Sequence, residues 1–169
     1  MKNPNYNKRY LGVGLLILIA FACTTFFLNK EETSKHHVFT VFTEQPYKSL
    51  MDAEIAAFRN EQYKNRQFKV EILSETSAIL EYDHHPISVL ILPRKLTAKE
   101  LKDIRAFRAP IHQYLFALEN NNGGIKEIYL IHDSTLMGVE KSFIDFLRAD
   151  AGQNIVIKEG FLAAAAKAK

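Results

Sequence analysis

The sequence predicts an α/β domain behind an N-terminal membrane span, and three observations lead there. Leu11 to Leu28, LGVGLLILIAFACTTFFL, carries no charged side chain. Beyond it, apolar β-branched runs alternate with segments whose apolar residues recur at helical spacing. The runs Val38–Phe42 and Ile87–Leu92 offer apolar side chains to both faces, as central strands of a largely parallel sheet do. The expected architecture is a single transmembrane helix followed by a small doubly wound, Rossmann/flavodoxin-like sheet of five mainly parallel strands.

A helix over 11–28 would be about 27 Å long, close to the hydrocarbon thickness of a bilayer. Lys2, Lys8 and Arg9 precede it without an acid, whereas Lys30 and Lys35 behind it are mixed with Glu31 and Glu32. The bias of basic residues favours a cytoplasmic N-terminus and an exported domain. The expected division is a tail over 1–10, a signal anchor over 11–28 and a polar tether over 29–36. An extracytoplasmic domain over 37–161, periplasmic in a bacterium, and an Ala/Lys-rich flexible tail over 162–169 complete it. Ala20-Phe21-Ala22 ahead of Cys23 resembles a bacterial lipobox, with Phe21 where a small residue is expected. Lipidation at Cys23 and cleavage of the segment are the alternatives to an anchor.

Charge excludes one class of partner. The chain holds 22 Lys and Arg against 19 Asp and Glu, and the first 35 residues carry five and two of them. Residues 36–169 are therefore balanced at 17 of each, without the basic footprint of a nucleic-acid binder. The lone cysteine, Cys23, lies in the apolar segment, so the domain has neither disulfide nor thiol chemistry.

In chain order, Val38–Phe42 reads as the first strand, closed by Thr43-Glu44-Gln45-Pro46. Ser49 opens a helix whose apolar face is Met51, Ile55 and Phe58. Phe68–Ile72 alternates as an edge strand does. Thr76–Tyr82 suits a short helix better than a strand, because helices then separate all the strands. Thr97 and Glu100 form a capping box ahead of Leu101, Ile104, Phe107, Ile111, Leu115 and Leu118. That spacing predicts one helix kinked at Pro110; a strand over Ile111–Leu118 after the Ala109-Pro110 turn is the alternative. Asn120–Gly124 stops the helix, Ile128–Ile131 is the next strand, and Asp133 or Ser134 caps a helix ending at Gly152. Ile155–Ile157 is the last strand, and the order 2-1-3-4-5 follows.

This order of elements resembles one lobe of a type I periplasmic sugar-binding protein, and also a response-regulator receiver. A receiver would carry an Asp where the third strand here ends in Leu92-Pro93. Asp83-His84-His85 resembles one motif of the DHH phosphoesterases, which hold divalent metal, but the early aspartates of that family are missing. No cofactor or metal is predicted, and the triplet reads as a turn before Pro86. Ser134 beside His132 and Asp133 has the residue types of a triad, yet neighbours in a strand face opposite ways.

Ligands of open α/β sheets bind beyond the carboxyl ends of strands. That rule selects Thr43, Glu44, Arg94, Lys95, Asp133 and Ser134 as candidate ligand residues, with Arg94 and Lys95 suited to an anion. Without a catalytic constellation, the expected function is a non-catalytic protein-interaction module, an accessory subunit of a cell-envelope assembly. Its expected partners are the membrane and envelope proteins, with no nucleic acid, and Tyr114 and Phe116 its contact face. The alternative is a small-ligand or anion-binding domain, or a hydrolase, using the strand-end crevice.

Overall fold

The computed structural model describes residues 38–61, 63, 66–105, 109–121 and 123–164. The tail, span and tether expected over 1–36, with Cys23, lie outside the described residues. Among the described residues no helix is long and apolar enough to cross a membrane.

Six strands form one mixed sheet: β1 (Phe39–Thr43), β2 (Phe68–Ile72), β3 (Ser88–Leu92), β4 (Ile111–Asn121), β5 (Gly124–Asp133) and β6 (Leu162–Ala163). The helices are α1 (Lys48–Glu61), α2 (Glu75–His84), α3 (Ala98–Arg105), α4 (Val139–Arg148) and α5 (Asp150–Lys158). The spatial order is β2-β1-β3-β5-β4-β6. β1 pairs parallel with both β2 and β3, as the sequence predicts for the first three strands. β5 then enters antiparallel to β3, with Leu90 opposite Ile131 and Leu92 opposite Tyr129.

Two apolar layers sandwich this sheet. On one face Phe39, Val41, Val89, Ile91 and Leu130 meet Leu50, Met51 and Phe58 of α1, Phe143 and Leu147 of α4, and Val156 of α5. Aromatic edges lock this layer, with the Phe58 and Phe143 centroids 5.1 Å apart and those of Phe39 and Phe68 5.6 Å apart. On the other face Phe42, Leu90, Leu92 and Ile131 meet Ala78 and Tyr82 of α2 and Ile104 of α3. The two runs read as central strands, β1 and β3, are buried along their whole length.

Several expectations need correction. The sheet is mixed and six-stranded, where five mainly parallel strands were expected. Ile111–Leu118 is not half of a kinked helix but most of β4, the alternative reading. A bulge between Leu115 and Ala117 leaves Phe116, Ala117 and Leu118 all buried, so strand alternation is hidden and the apolar spacing mimics a helix. Asn120–Gly124 accordingly belongs to a hairpin, Asn121 pairing with Gly124, whose φ of 133° suits a residue without Cβ. Ile155–Ile157 lies inside α5, not in a strand, and Leu162–Ala163 of the expected flexible tail pairs with β4. Nor do Asp133 or Ser134 cap a helix, because α4 begins at Val139 behind Gly138.

Gly152 was expected to end a helix; it sits in α5 where that helix crosses the end of α4. A Cβ there would lie 2.5 Å from the Phe146 carbonyl oxygen and 2.8 Å from the Leu147 Cα. Both atoms are backbone and cannot swing aside. Gly152→Ala should therefore cost about 1–3 kcal/mol, read as a lower denaturation midpoint in urea. An unchanged midpoint would contradict this crossing.

Glu54 is the other tension in the core. It is 0 % exposed, and neither carboxylate oxygen has a hydrogen-bond partner among the described residues. Burial, with the charge of Glu159 adding to it, pushes its pKa up to about 9. The folded chain thus keeps a proton that the unfolded chain releases near 4.5. Stability must fall as pH rises from about 4.5 towards about 9. Glu54→Gln should flatten that slope and raise the thermal midpoint at pH 8; parallel wild-type and variant slopes would refute the assignment.

Candidate functional site

The candidate residues divide between opposite ends of the sheet. Thr43 ends β1 and the Arg94-Lys95 loop follows β3, so these lie beyond the carboxyl edge of the parallel strands, with Glu44 next in chain. β5 runs the other way. Its register, Leu90 opposite Ile131, carries Asp133 two residues further towards the amino end of β3. The structure therefore does not bring Asp133 and Ser134 into the crevice expected for all six residues.

At the carboxyl edge the polar groups satisfy one another. The Thr43 hydroxyl donates to the Ile91 carbonyl across 3.5 Å. The capping box forms as its spacing predicts: the Thr97 amide donates to Glu100 Oε2 at 2.6 Å, and the Glu100 amide to Thr97 Oγ1 at 3.3 Å. Arg94 closes the arrangement. Its Nη1 and Nη2 donate to the two Glu100 oxygens at 2.9 and 2.8 Å, and its Nε to Glu75 Oε1 at 2.7 Å. Arg94 and Thr97 together hold the Glu100 carboxyl down at about 2. Lys95 lies over the Tyr129 ring, 5.3 Å from its centroid. A guanidinium already shared by two carboxylates offers little to an incoming anion. Asp83 and His84 end α2, and His85 stacks edge-on against Phe42 at 5.2 Å. Among the described residues no group of three or more His, Cys, Asp or Glu could hold a metal ion.

The opposite end is built differently. Between the β4–β5 hairpin and α4 lies a cleft of about 240 Å³ lined by His112, Tyr114, His132, Asp133, Lys141 and Arg148, with Leu136 and Ile144 among its apolar walls. His112 is opposite His132 in the register, so both side chains leave the same face as Tyr114. The rings stack: Tyr114 and His132 centroids are 5.6 Å apart at 24°, His112 and Tyr114 5.9 Å apart at 19°. The Arg148 Cζ lies 3.9 Å from the Tyr114 centroid. No carboxylate pairs with Arg148 among the described residues, whereas Lys141 binds Asp145 at 2.7 Å. Asp133 accepts the Thr135 amide at 2.8 Å, turning the chain.

His132 is the unusual member. It is 9 % exposed, and its Nε2 has no hydrogen-bond partner among the described residues. Its Nδ1 lies 2.7 Å from the Asp133 carbonyl oxygen, which only accepts, so Nδ1 carries the proton. Nε2 therefore presents a lone pair in the neutral ring and an N–H once protonated. Burial lowers the pKa, the Asp133 carbonyl works against that, and His112 lowers it further. The strand-end rule picks out His132 together with Asp133 and Ser134 but puts all three at the wrong edge, because β5 was read as parallel. Tyr114 lines the cleft and Phe116 is buried in the core, so they do not form the contact face expected of them.

No protein-family model matches the chain. No curated protein matches it by sequence. Solved structures do share its fold. PstS from Borrelia burgdorferi superposes with a TM-score of 0.61 at 10% identity, covering 76% of this chain and 99% of that one. An ABC-type phosphate transport receptor from Vibrio cholerae gives 0.61 at 10%, covering 75% and 100%. A protein described as a phosphate ABC transporter substrate-binding protein, with bound phosphate, from Clostridium perfringens gives 0.61 at 11%, covering 76% and 100%. The chain thus shares the fold of these three structures. These neighbours run against the expected protein-interaction module, with the membrane and envelope proteins as partners: two of the three are described as a phosphate transport receptor and a phosphate transporter's substrate-binding protein. The small-ligand alternative is the better reading.

The Arg94 cluster makes its own prediction. Its side chain is 36% exposed, so solvent screening limits Arg94→Ala to a loss of about 0.5–1 kcal/mol. The depressed Glu100 carboxyl contributes stability that is lost as pH falls from the usual carboxylate range towards about 2. Acid titrations followed by circular dichroism should show a shallower decline in Arg94→Ala than in wild type. A steeper one would contradict the clamp.

Proposed function

We propose that the chain is a small-anion-binding domain working on the extracytoplasmic side of a membrane, and that it holds its ligand in the His132–Arg148 cleft. The observation that carries this reading is the buried Nε2 of His132, which among the described residues has no hydrogen-bond partner and lies in the same cleft as an arginine that no described carboxylate pairs. Unsatisfied buried polar atoms are rare in folded proteins and call for an explanation such as a ligand. The fold shared with phosphate receptors supports the ligand class, and the basic residues Lys2, Lys8 and Arg9 ahead of the apolar segment support the compartment.

Arg148 supplies a permanent charge and a planar fork for two parallel hydrogen bonds. His132 supplies a conditional one. An anion at Nε2 favours the protonated ring, so binding takes up a proton and strengthens as pH falls towards the lowered pKa of the buried imidazole. Ser134 lies at the rim of the same cleft.

The test is thermal stabilisation of the full chain by inorganic phosphate, acetate and benzoate at pH 5.5 and pH 8. A ligand at about 100 times its Kd should add about 2.7 kcal/mol to the stability. We expect stabilisation by at least one of them, larger at pH 5.5, and lost in Arg148→Ala. His132→Gln should remove the pH dependence. Stabilisation that persists unchanged in Arg148→Ala would overturn the assignment.

A further inference from the structure

We infer that the ligand of this cleft is a compact organic monocarboxylate with a flat apolar body, in preference to inorganic phosphate. The inference rests on the anion-binding reading above and narrows it from the shape and charge of the same walls.

Volume is the first argument. The cleft measures about 240 Å³, against about 30 Å³ for a water molecule's share of the liquid. It has room for about eight water-sized groups, and inorganic phosphate, with five heavy atoms, would leave much of it wet or empty. The second argument is the lining. Leu136 and Ile144 are 8% and 2% exposed and form an apolar wall that no phosphate oxygen can use. Beside it the rings of His112, Tyr114 and His132 add aromatic surface to the lining, Tyr114 and His132 at 24° to each other and His112 and His132 tilted by 43°.

Charge is the third argument. Lys141 is spent on Asp145 within α4. Asp133 stays on the wall while its carboxylate serves Thr135. With His132 neutral, Arg148 and Asp133 then cancel, and the cleft as a whole carries no net charge. A phosphate dianion would meet one available cation and two nearby carboxylates. A monocarboxylate asks for no more than the Arg148 fork, with Nε2 of His132 as a second donor when protonated. Its apolar body would lie against Tyr114, Leu136 and Ile144. The arrangement favours one negative charge and a hydrophobic remainder.

The experiment is isothermal titration of the full chain at pH 6 with benzoate, acetate and inorganic phosphate, in wild type, Tyr114→Leu and Arg148→Ala. We expect benzoate to bind at least tenfold tighter than either acetate or phosphate. Tyr114→Leu keeps apolar bulk but removes the ring, and should bring the affinity for benzoate down towards that for acetate. Circular dichroism identifies any variant that fails to fold, and His112→Ala, at an exposed position, then tests the same stacking wall. Phosphate binding tightest and lost in Arg148→Ala would overturn this inference while leaving anion binding intact. Absence of binding by all three anions would overturn both readings.

Discussion

The antiparallel seam between β3 and β5 is the constraint on which the rest of the molecule depends. It consists of three residue pairs: Leu90 with Ile131, Ile91 with Leu130, and Leu92 with Tyr129. Up to β3 the chain follows the logic of a parallel sheet, with helical crossovers and with β1 and β3 buried on both faces. A parallel continuation would have required another crossover. The chain instead goes past β5's place to form β4 and turns back by a hairpin into the gap beside β3. Everything polar at the end of β5 is thereby carried to the opposite edge of the sheet.

That reversal separates two environments that the sequence places in one. At the carboxyl edge of β1 and β3, one arginine faces two glutamates and a capping box, and the cluster satisfies its own hydrogen bonds. It holds the β3–α3 loop against α2 and leaves little affinity to spare. At the other edge, the end of β5 meets α4, whose polar face repeats Lys141, Asp145 and Arg148 at helical spacing. The same helix sends Phe143 and Leu147 into the core. One amphipathic helix thus anchors the sheet and lines the cleft, so the cleft is as rigid as the core beneath it.

Much of the fold was legible because its signals are local. The buried runs of β1 and β3, the alternation of β2, the short helix over 76–82 and the reciprocal Thr97–Glu100 cap all follow from patterns a few residues long. What was not legible depends on distant partners. The β4 spacing imitates a helix because a bulge and neighbours on both sides bury consecutive residues. Ile155 and Val156 are β-branched yet helical, since α5 is held by its packing against α4 through Gly152. Tertiary context outweighs propensity in both places. The candidate site inherited the same error: Thr43, Glu44, Arg94 and Lys95 share one edge as expected, but strand direction alone decided where Asp133 and Ser134 would be. His112 and Tyr114 could not be recognised as site residues while they were assigned to a helix.

Glu54 and His132 each bury a side-chain atom that has no hydrogen-bond partner among the described residues, and the difference between them bears on the proposed site. Glu54, on the buried side of α1, is 0% exposed and resolves its burial by keeping a proton. Such a group is a cost carried by the core, and a neutral isostere serves the fold better. His132 is almost as deeply buried, but its residue lines a cleft together with Arg148 and Tyr114. There the missing partner can arrive from solution, and the ring can change its charge to meet it. Burial and an unfilled hydrogen bond are common to both residues; access and a neighbouring cation are not. It is the combination of all four at His132 that makes this end of the sheet, and not the carboxyl edge, the place to look for a ligand.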